Sequence, residues 1–221
     1  PYMSFYLYNK PNFSLADRPK IVSYNFNEPS TLFNGMISSL IPYTMKGVVW
    51  YQGENNAFRH EEYGELFSLL ISDWRSKWDN DFSFYYVQIA PYFNYYNSNA
   101  PLREVQRKAL EVPKTGMVVT LDIGEKYDIH PSNKHDVGFR LARYALKNDY
   151  KIDLIDSGPL YMSQSIHEDV IKVFFKHLGD GLVLDENRYS EFEVAGIDKK
   201  YFVADVVNQN DFLEVFSDNV K

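Results

Sequence analysis

The chain has no cysteine among its 221 residues. That absence removes disulfides, thiolate nucleophiles and cysteine-ligated metals together, while leaving the compartment open. It also lacks any apolar run approaching the length of a membrane span, and Pro1 opens no signal peptide. Positive charge is in deficit: 23 Lys and Arg against 30 Asp and Glu give a net charge of -7. With no basic stripe to neutralise phosphates, a nucleic-acid partner is not expected, nor is a membrane one. Gly-x-Ser occurs nowhere. What the chain has in quantity is apolar and aromatic matter, 45% and 17% of its residues, enough for a packed core.

Residues 47–145 alternate strand-like and helix-like patterns. Gly47-Val48-Val49-Trp50 reads as a short buried strand that ends in the polar run Gln52-Gly53-Glu54-Asn55-Asn56. Tyr63, Leu66, Phe67, Leu70, Ile71, Trp74 and Trp78 recur every three or four residues, one face of an amphipathic helix. Phe84 to Ile89 and Met117 to Leu121 read as further strands. A second helix is expected to begin near Pro101 and bury Leu102, Val105 and Ala109. A third follows Ser132 or Asn133 as N-cap and buries Val137, Leu141, Tyr144 and Ala145. The alternation implies right-handed crossovers and a parallel sheet. From about Ser157 the texture becomes β-prone: Val170 to Phe175, Leu182 to Leu184, Glu191 to Ala195, Tyr201 to Val207 and Phe212 to Phe216, with turn residues between. Two domains are expected, residues 1–155 and a small β module over 156–221.

In an open parallel sheet the carboxyl ends of the strands line one crevice. Three polar clusters should therefore converge: Gln52 to Asn56, Gln88 with Asn94, and Asp122 leading to Asp128-Ile129-His130-Pro131. Of five histidines, His130 alone sits in a loop before a helix with a carboxylate two residues earlier, the context of a general base. His60, His135, His167 and His177 read as solvent-facing. Other chemistries draw on the same residues. Glu54 with Asp122 or Asp128 could supply a glycosidase's paired carboxylates, and Asp128, His130 and His135 have metal-ligating residue types. A non-catalytic glycan-binding or interaction protein is a further alternative, on the aromatic loop Tyr92-Phe93-Asn94-Tyr95-Tyr96-Asn97.

The ordered blocks Phe33-Asn34-Gly35-Met36-Ile37, Gly47 to Ala57, Asp73-Trp74-Arg75, Leu102-Arg103-Glu104-Val105-Gln106, Asp122-Ile123-Gly124, Asp128 to Lys134 and Val137 to Ala142 resemble the sialate O-acetylesterase family. They span roughly residues 30–145, and the β-rich tail is similar too. The resemblance implies a flavodoxin-like SGNH hydrolase fold, a parallel sheet with flanking helices followed by a small antiparallel β module. It implies a serine esterase that removes O-acetyl groups from a sugar, acetylated sialic acid above all, without a cofactor or a metal. By resemblance His130 is the general base, Asp128 its orienting acid and Gln52 an oxyanion donor, with Glu54 and Asn56 supporting these groups or binding substrate hydroxyls. Arg103 is a candidate to bind an anionic sugar, since a local cation can outweigh the net negative charge. The family commonly sets two residues between the Asp and the His, where this chain has Ile129 alone. A backbone carbonyl is the other candidate for orienting the ring. The family also usually carries Ser at the position of Asn55.

The family's nucleophilic serine lies in a Gly-rich block upstream of the Asn-Gly-Met-Ile segment. Ser4, Ser14 and Ser23 lack the glycine it needs. The serine, the first strand and one oxyanion amide are therefore expected outside this sequence, on a longer chain or a second piece that associates with it. A sheet without its first strand would expose a parallel edge inviting the missing piece or a second copy. The resemblance favours a secreted or periplasmic location.

Overall fold

The computed structural model describes residues 30–93, 96–184 and 192–220. The chain divides into two compact units, Pro1–Ile152 and Asp153–Lys221.

In the first unit, β1 (Gly47–Trp50), β2 (Ser83–Val87) and β3 (Thr115–Val118) form a parallel sheet in that order. They alternate with α1 (His60–Trp78), α2 (Tyr96–Lys108) and α3 (Lys134–Asn148). The apolar spacing of α1 buries Tyr63, Leu66, Phe67, Leu70, Ile71 and Trp74. Glu61 and Glu62 lie in its first turn and Arg75 and Lys77 in its last, matching the helix dipole. Asp79, at φ 47°, ends it in the left-handed region. Phe67 is the hub of the core. Its ring lies 5.4 Å from Tyr63, 6.3 Å from Trp50, 5.9 Å from Phe84 and 5.0 Å from Tyr86, centroid to centroid.

Every residue of β2 is buried, as befits a central strand covered on both faces. Phe84 and Tyr86 pack under α1, while Tyr85 turns the other way and stacks on Tyr144 of α3 at 5.5 Å. The Ser83 and Tyr85 hydroxyls donate to the Asp149 carboxylate at 2.6 and 2.8 Å, tying the end of α3 to the start of β2.

Three expectations change. Among the described residues β1 is an edge strand and not a buried one: Trp50 packs against Phe67, but Val49 is 67% exposed. Among those residues β2 flanks it on one side only, and no helix covers Val49's face. Pro101 does not open α2 but lies inside it. The helix starts upstream because the Asn99 amide is buried and donates to the Tyr92 carbonyl at 2.8 Å. That anchor, with Leu102 and Gln106 buried, offsets the bond a mid-helix proline gives up. β3 ends at Val118, where a strand to Leu121 was expected; the Thr120 hydroxyl donates to the Gln88 carbonyl and Leu121 turns to solvent.

The second unit holds a four-stranded antiparallel sheet of β4 (Leu160–His167), β5 (Val170–Lys176), β9 (Phe212–Phe216) and β8 (Asp205–Asn208), in that order, and a hairpin of β6 (Glu193–Ala195) and β7 (Tyr201–Val203). Leu182, Val194, Ala204, Leu213 and Val215 make its core. The run Tyr201 to Val207 is two strands, because Ala204 is buried and its N–H bonds the Phe192 carbonyl, sending the halves to different sheets. β4 was not anticipated. Leu182 to Leu184 forms no strand, although the Leu182 N–H bonds the Asn210 carbonyl.

Phe67→Ala should cost about 3–5 kcal/mol of stability, since the cavity opens among four other rings. Urea unfolding followed by tryptophan fluorescence measures it, as Trp50 and Trp74 report on this cluster.

Candidate active site

The chain leaves β1 through a turn that is held from beneath. Gly53 sits at φ 155°, and a Cβ there would lie 3.0 Å from Ile89 and 3.2 Å from the Gln106 amide nitrogen. Only glycine lets the backbone come so close. The Gln52 carbonyl accepts the Tyr63 hydroxyl at 3.0 Å, with Gln106 Nε2 at 3.5 Å. Burial pushes the Tyr63 phenol well above its usual range, so it stays a donor. Gln106 Oε1 accepts the Ile89 N–H at 3.0 Å, and the Gln106 carbonyl accepts the Tyr86 hydroxyl at 2.7 Å.

One buried amide thus joins the exits of β1 and β2 to α2. The sequence reading took Tyr63 as plain core and Gln106 as part of a motif. The available signal was a glutamine four residues after Leu102, on the apolar face of its helix.

The Gln52 side chain is half-buried and its Nε2 donates to Asn56 Oδ1 at 2.8 Å. Asn56 closes the first turn of the 3-10 segment Glu54–Arg59 by donating its N–H to the Gly53 carbonyl at 2.7 Å. Asn56 therefore fixes the Gln52 amide, which keeps a second N–H for another acceptor. Gln52 Oε1 is buried and has no partner among the described residues. Glu54, half-buried, begins the same segment.

The loop carrying His130 is held by side chains that bond the main chain. Glu125 Oε1 accepts both the N–H and the hydroxyl of Ser132, each at 2.7 Å. Those two bonds, the backbone one first, hold the Glu125 carboxyl below the usual glutamate range. Asp128 Oδ1 accepts the His130 N–H at 2.8 Å. Asn133 Oδ1 accepts the Asp136 N–H at 3.1 Å and caps α3. His130 itself is exposed, and among the described residues its ring has no hydrogen-bond partner. In this structure Asp128 orients the main chain of His130, where the expectation was that it would orient the ring.

The three strand exits converge. Lys134 Nζ lies 5.3 Å above the Tyr51 ring, joining the His130 loop to β1. The Phe93 N–H donates to the Lys126 carbonyl at 2.8 Å, and a Cβ on Gly124 would fall 2.4 Å from Pro91, joining it to the exit of β2.

Some expected members do not take part. Gln88 is buried and donates to the Arg103 carbonyl at 3.0 Å, a structural role, and Asn94 lies outside the described residues. The Asp122 carboxylate is held by Arg140 through two bonds of 2.8 and 2.5 Å, so it is engaged away from Glu54. Among the described residues no three carboxylates or imidazoles gather as metal ligands. His60 is half-buried with its Nδ1 sealed from solvent, contrary to the expectation that it faces water. Arg103 is partly buried; desolvation lowers its pKa, and its Nη1 is buried with no partner among the described residues.

Parallel strands flanked by helices, with polar turns at their carboxyl ends, make the first unit an α/β domain of the hydrolase type, followed in sequence by an antiparallel module. A family model described as carbohydrate esterase, sialic acid-specific acetylesterase, matches residues 20–147. The chain belongs to that family. Sialate O-acetylesterase of Mus musculus is 34% identical over 154 residues, covering 59% of this chain and 28% of the mouse protein. The Homo sapiens protein of the same name is 31% identical over 154 residues, covering 59% and 29%. A crystal structure of a carbohydrate acetylesterase from Xanthomonas citri superposes with a TM-score of 0.79 at 34% identity, covering 87% of this chain and 47% of that one. The chain thus spans less than a third of these two curated relatives' length.

Gln106→Leu should destabilise the protein by about 1–3 kcal/mol, because the Ile89 N–H and the Gln52 carbonyl lose buried partners. Urea unfolding measures the loss, and faster hydrogen exchange at the Ile89 amide locates it. The Ser132–Glu125 clasp needs an ionised carboxylate with a depressed pKa. It is therefore intact above the usual glutamate value of 4.5 and released as pH falls through the lower folded value. The Ser132 amide resonance should titrate with a midpoint below 4.5, and Glu125→Gln should abolish that step.

Proposed function

We propose that the complete protein is a serine esterase that removes O-acetyl groups from a sugar, acetylated sialic acid foremost, and that its serine comes from residues outside this sequence. The serine oxygen attacks the acetyl carbonyl carbon while His130 takes the hydroxyl proton. The second N–H of Gln52 donates to the oxyanion of the tetrahedral intermediate. The bond from carbon to the sugar oxygen then breaks, and His130 returns the proton to that oxygen. Water, deprotonated by the same imidazole, attacks the acetyl-serine carbonyl carbon. The bond from that carbon to the serine oxygen breaks, the serine oxygen takes the proton back from His130, and acetate leaves. Asp128 lies two residues before His130 and supplies negative charge beside the imidazolium. Glu54, Asn56 and Arg103 bind the sugar, and Arg103 Nη1, which has no partner among the described residues, is a donor suited to a carboxylate.

The observation that carries this reading is the clamp of Lys134 on Tyr51, which holds the loop of His130 beside the turn of Gln52 at one sheet edge. Family membership supports the reaction class. Among the described residues the outer edge of β1 has no strand beside it, which is where a strand delivering the serine would add.

In the full-length enzyme His130→Ala should lower kcat by several orders of magnitude, as loss of a triad base does. Gln52→Ala should lower it about a hundredfold, and Asp128→Ala less than His130→Ala. Acetate release from an O-acetylated sialic acid is the assay. A near-normal rate in the His130 variant would overturn the mechanism.

A further inference from the structure

Two large rings stand in solvent beside the His130 loop. Tyr127 is 76% exposed and Phe93 54% exposed. They come from different strand exits, yet their centroids lie 5.9 Å apart with planes inclined at 50°. The Phe93 N–H to Lys126 carbonyl bond of 2.8 Å locks the two loops together. Lys126 Nζ lies 5.8 Å from the Phe93 centroid and 5.4 Å from that of Tyr127, so one cation serves both rings. Tyr127 immediately precedes Asp128, whose carboxylate holds the His130 N–H. The pair is therefore fixed to the segment that carries the proposed base.

We propose that Phe93, Tyr127 and Lys126 form a platform that stacks a pyranose ring of the glycan next to the acetylated sugar. This rests on the esterase reading for its relation to the reacting bond. Leaving two aromatic faces in water forgoes their burial, and an exposed apolar patch rimmed by polar groups marks a ligand site. The occupant follows from the chemistry of the patch. A flat protein partner would have to bury the Lys126 ammonium, and charged groups are depleted at the centres of such interfaces. A pyranose offers one face of C–H groups to the negative face of an aromatic ring and keeps hydroxyls around its rim. Those hydroxyls can meet water and Lys126 with no charge buried. The site therefore selects for a sugar within a longer glycan over a free acetylated monosaccharide.

The test uses the full-length protein, an O-acetylated sialyl trisaccharide and the corresponding O-acetylated monosaccharide. Phe93→Ala and Tyr127→Ala should each raise KM for the trisaccharide about tenfold. Their kcat, and all constants for the monosaccharide, should stay within about twofold of wild type. Tyr127→Phe keeps the ring and should behave as wild type. Equal losses on both substrates, or an unchanged trisaccharide KM, overturn the platform.

Saturation-transfer NMR with the deacetylated trisaccharide separates this proposal from the esterase reading. Contact at the sugar beyond the sialic acid, lost in Tyr127→Ala, supports the platform even in a protein that hydrolyses nothing. Hydrolysis with no such contact overturns the platform and leaves the esterase standing. Neither hydrolysis nor contact overturns both.

Discussion

The buried amide of Gln106 is the interaction on which the polar edge of this domain depends. A parallel sheet must end somewhere, and where its strands end the backbone groups lose their ladder partners. Here the Ile89 N–H, just past β2, finds Gln106 Oε1, while the carbonyl of Gln52, just past β1, is met by Tyr63 and Gln106 Nε2. An unpaired buried group at any of these points costs more than a hydrogen bond ordinarily contributes. The amide comes from α2, so the helix, two strands and the turn at Gly53 are set in one arrangement. The position of the Gln52 side chain follows from that arrangement.

The His130 loop is organised by a different rule. Between Glu125 and Asn133, three polar side chains turn back on the loop's own main chain: Glu125 to Ser132, Asp128 to His130, Asn133 to Asp136. Asp128 and Asn133 satisfy N–H groups two and three residues on, where the closure entropy of the ring is small, and the longer Glu125 side chain reaches Ser132, seven residues on. The loop is shaped by these bonds, and the imidazole stays exposed. One half of the edge is therefore set by burial and the other by local hydrogen bonding in water.

Much of this was legible in the chain. The three- and four-residue spacing from Tyr63 to Trp74 gave α1 and its buried face, since a single amphipathic stripe faces a single core. Asn133 was readable as a cap because its side chain needs only its own neighbours. What could not be read depends on partners distant in sequence. Val49 has the same residue type whether a helix covers it or not. β4, with Ser163, Gln164 and Ser165 at its centre, carries no apolar alternation and is a strand only because β5 pairs with it. Gln88 looked like a delivered polar group, but its amide is consumed beneath the edge by the Arg103 carbonyl. The convergence of three strand exits was foreseen from topology, whereas the residues that make the joints, Lys134 on Tyr51 and Lys126 with Phe93, were not.

The contrast between the two halves of the edge bears on how such a site could work. A donor to an oxyanion is useful only if it need not reorganise as charge develops, and the proposed donor, Gln52, sits on a turn fixed from below. A base that must take a proton from one oxygen and give it to another has two partners to reach in turn. A ring with no bond among the described residues is free to meet them, while the loop that carries it stays shaped by Glu125 and Asp128. In the proposed mechanism, stiffness sits where charge must be met without delay, and freedom sits where a proton must travel.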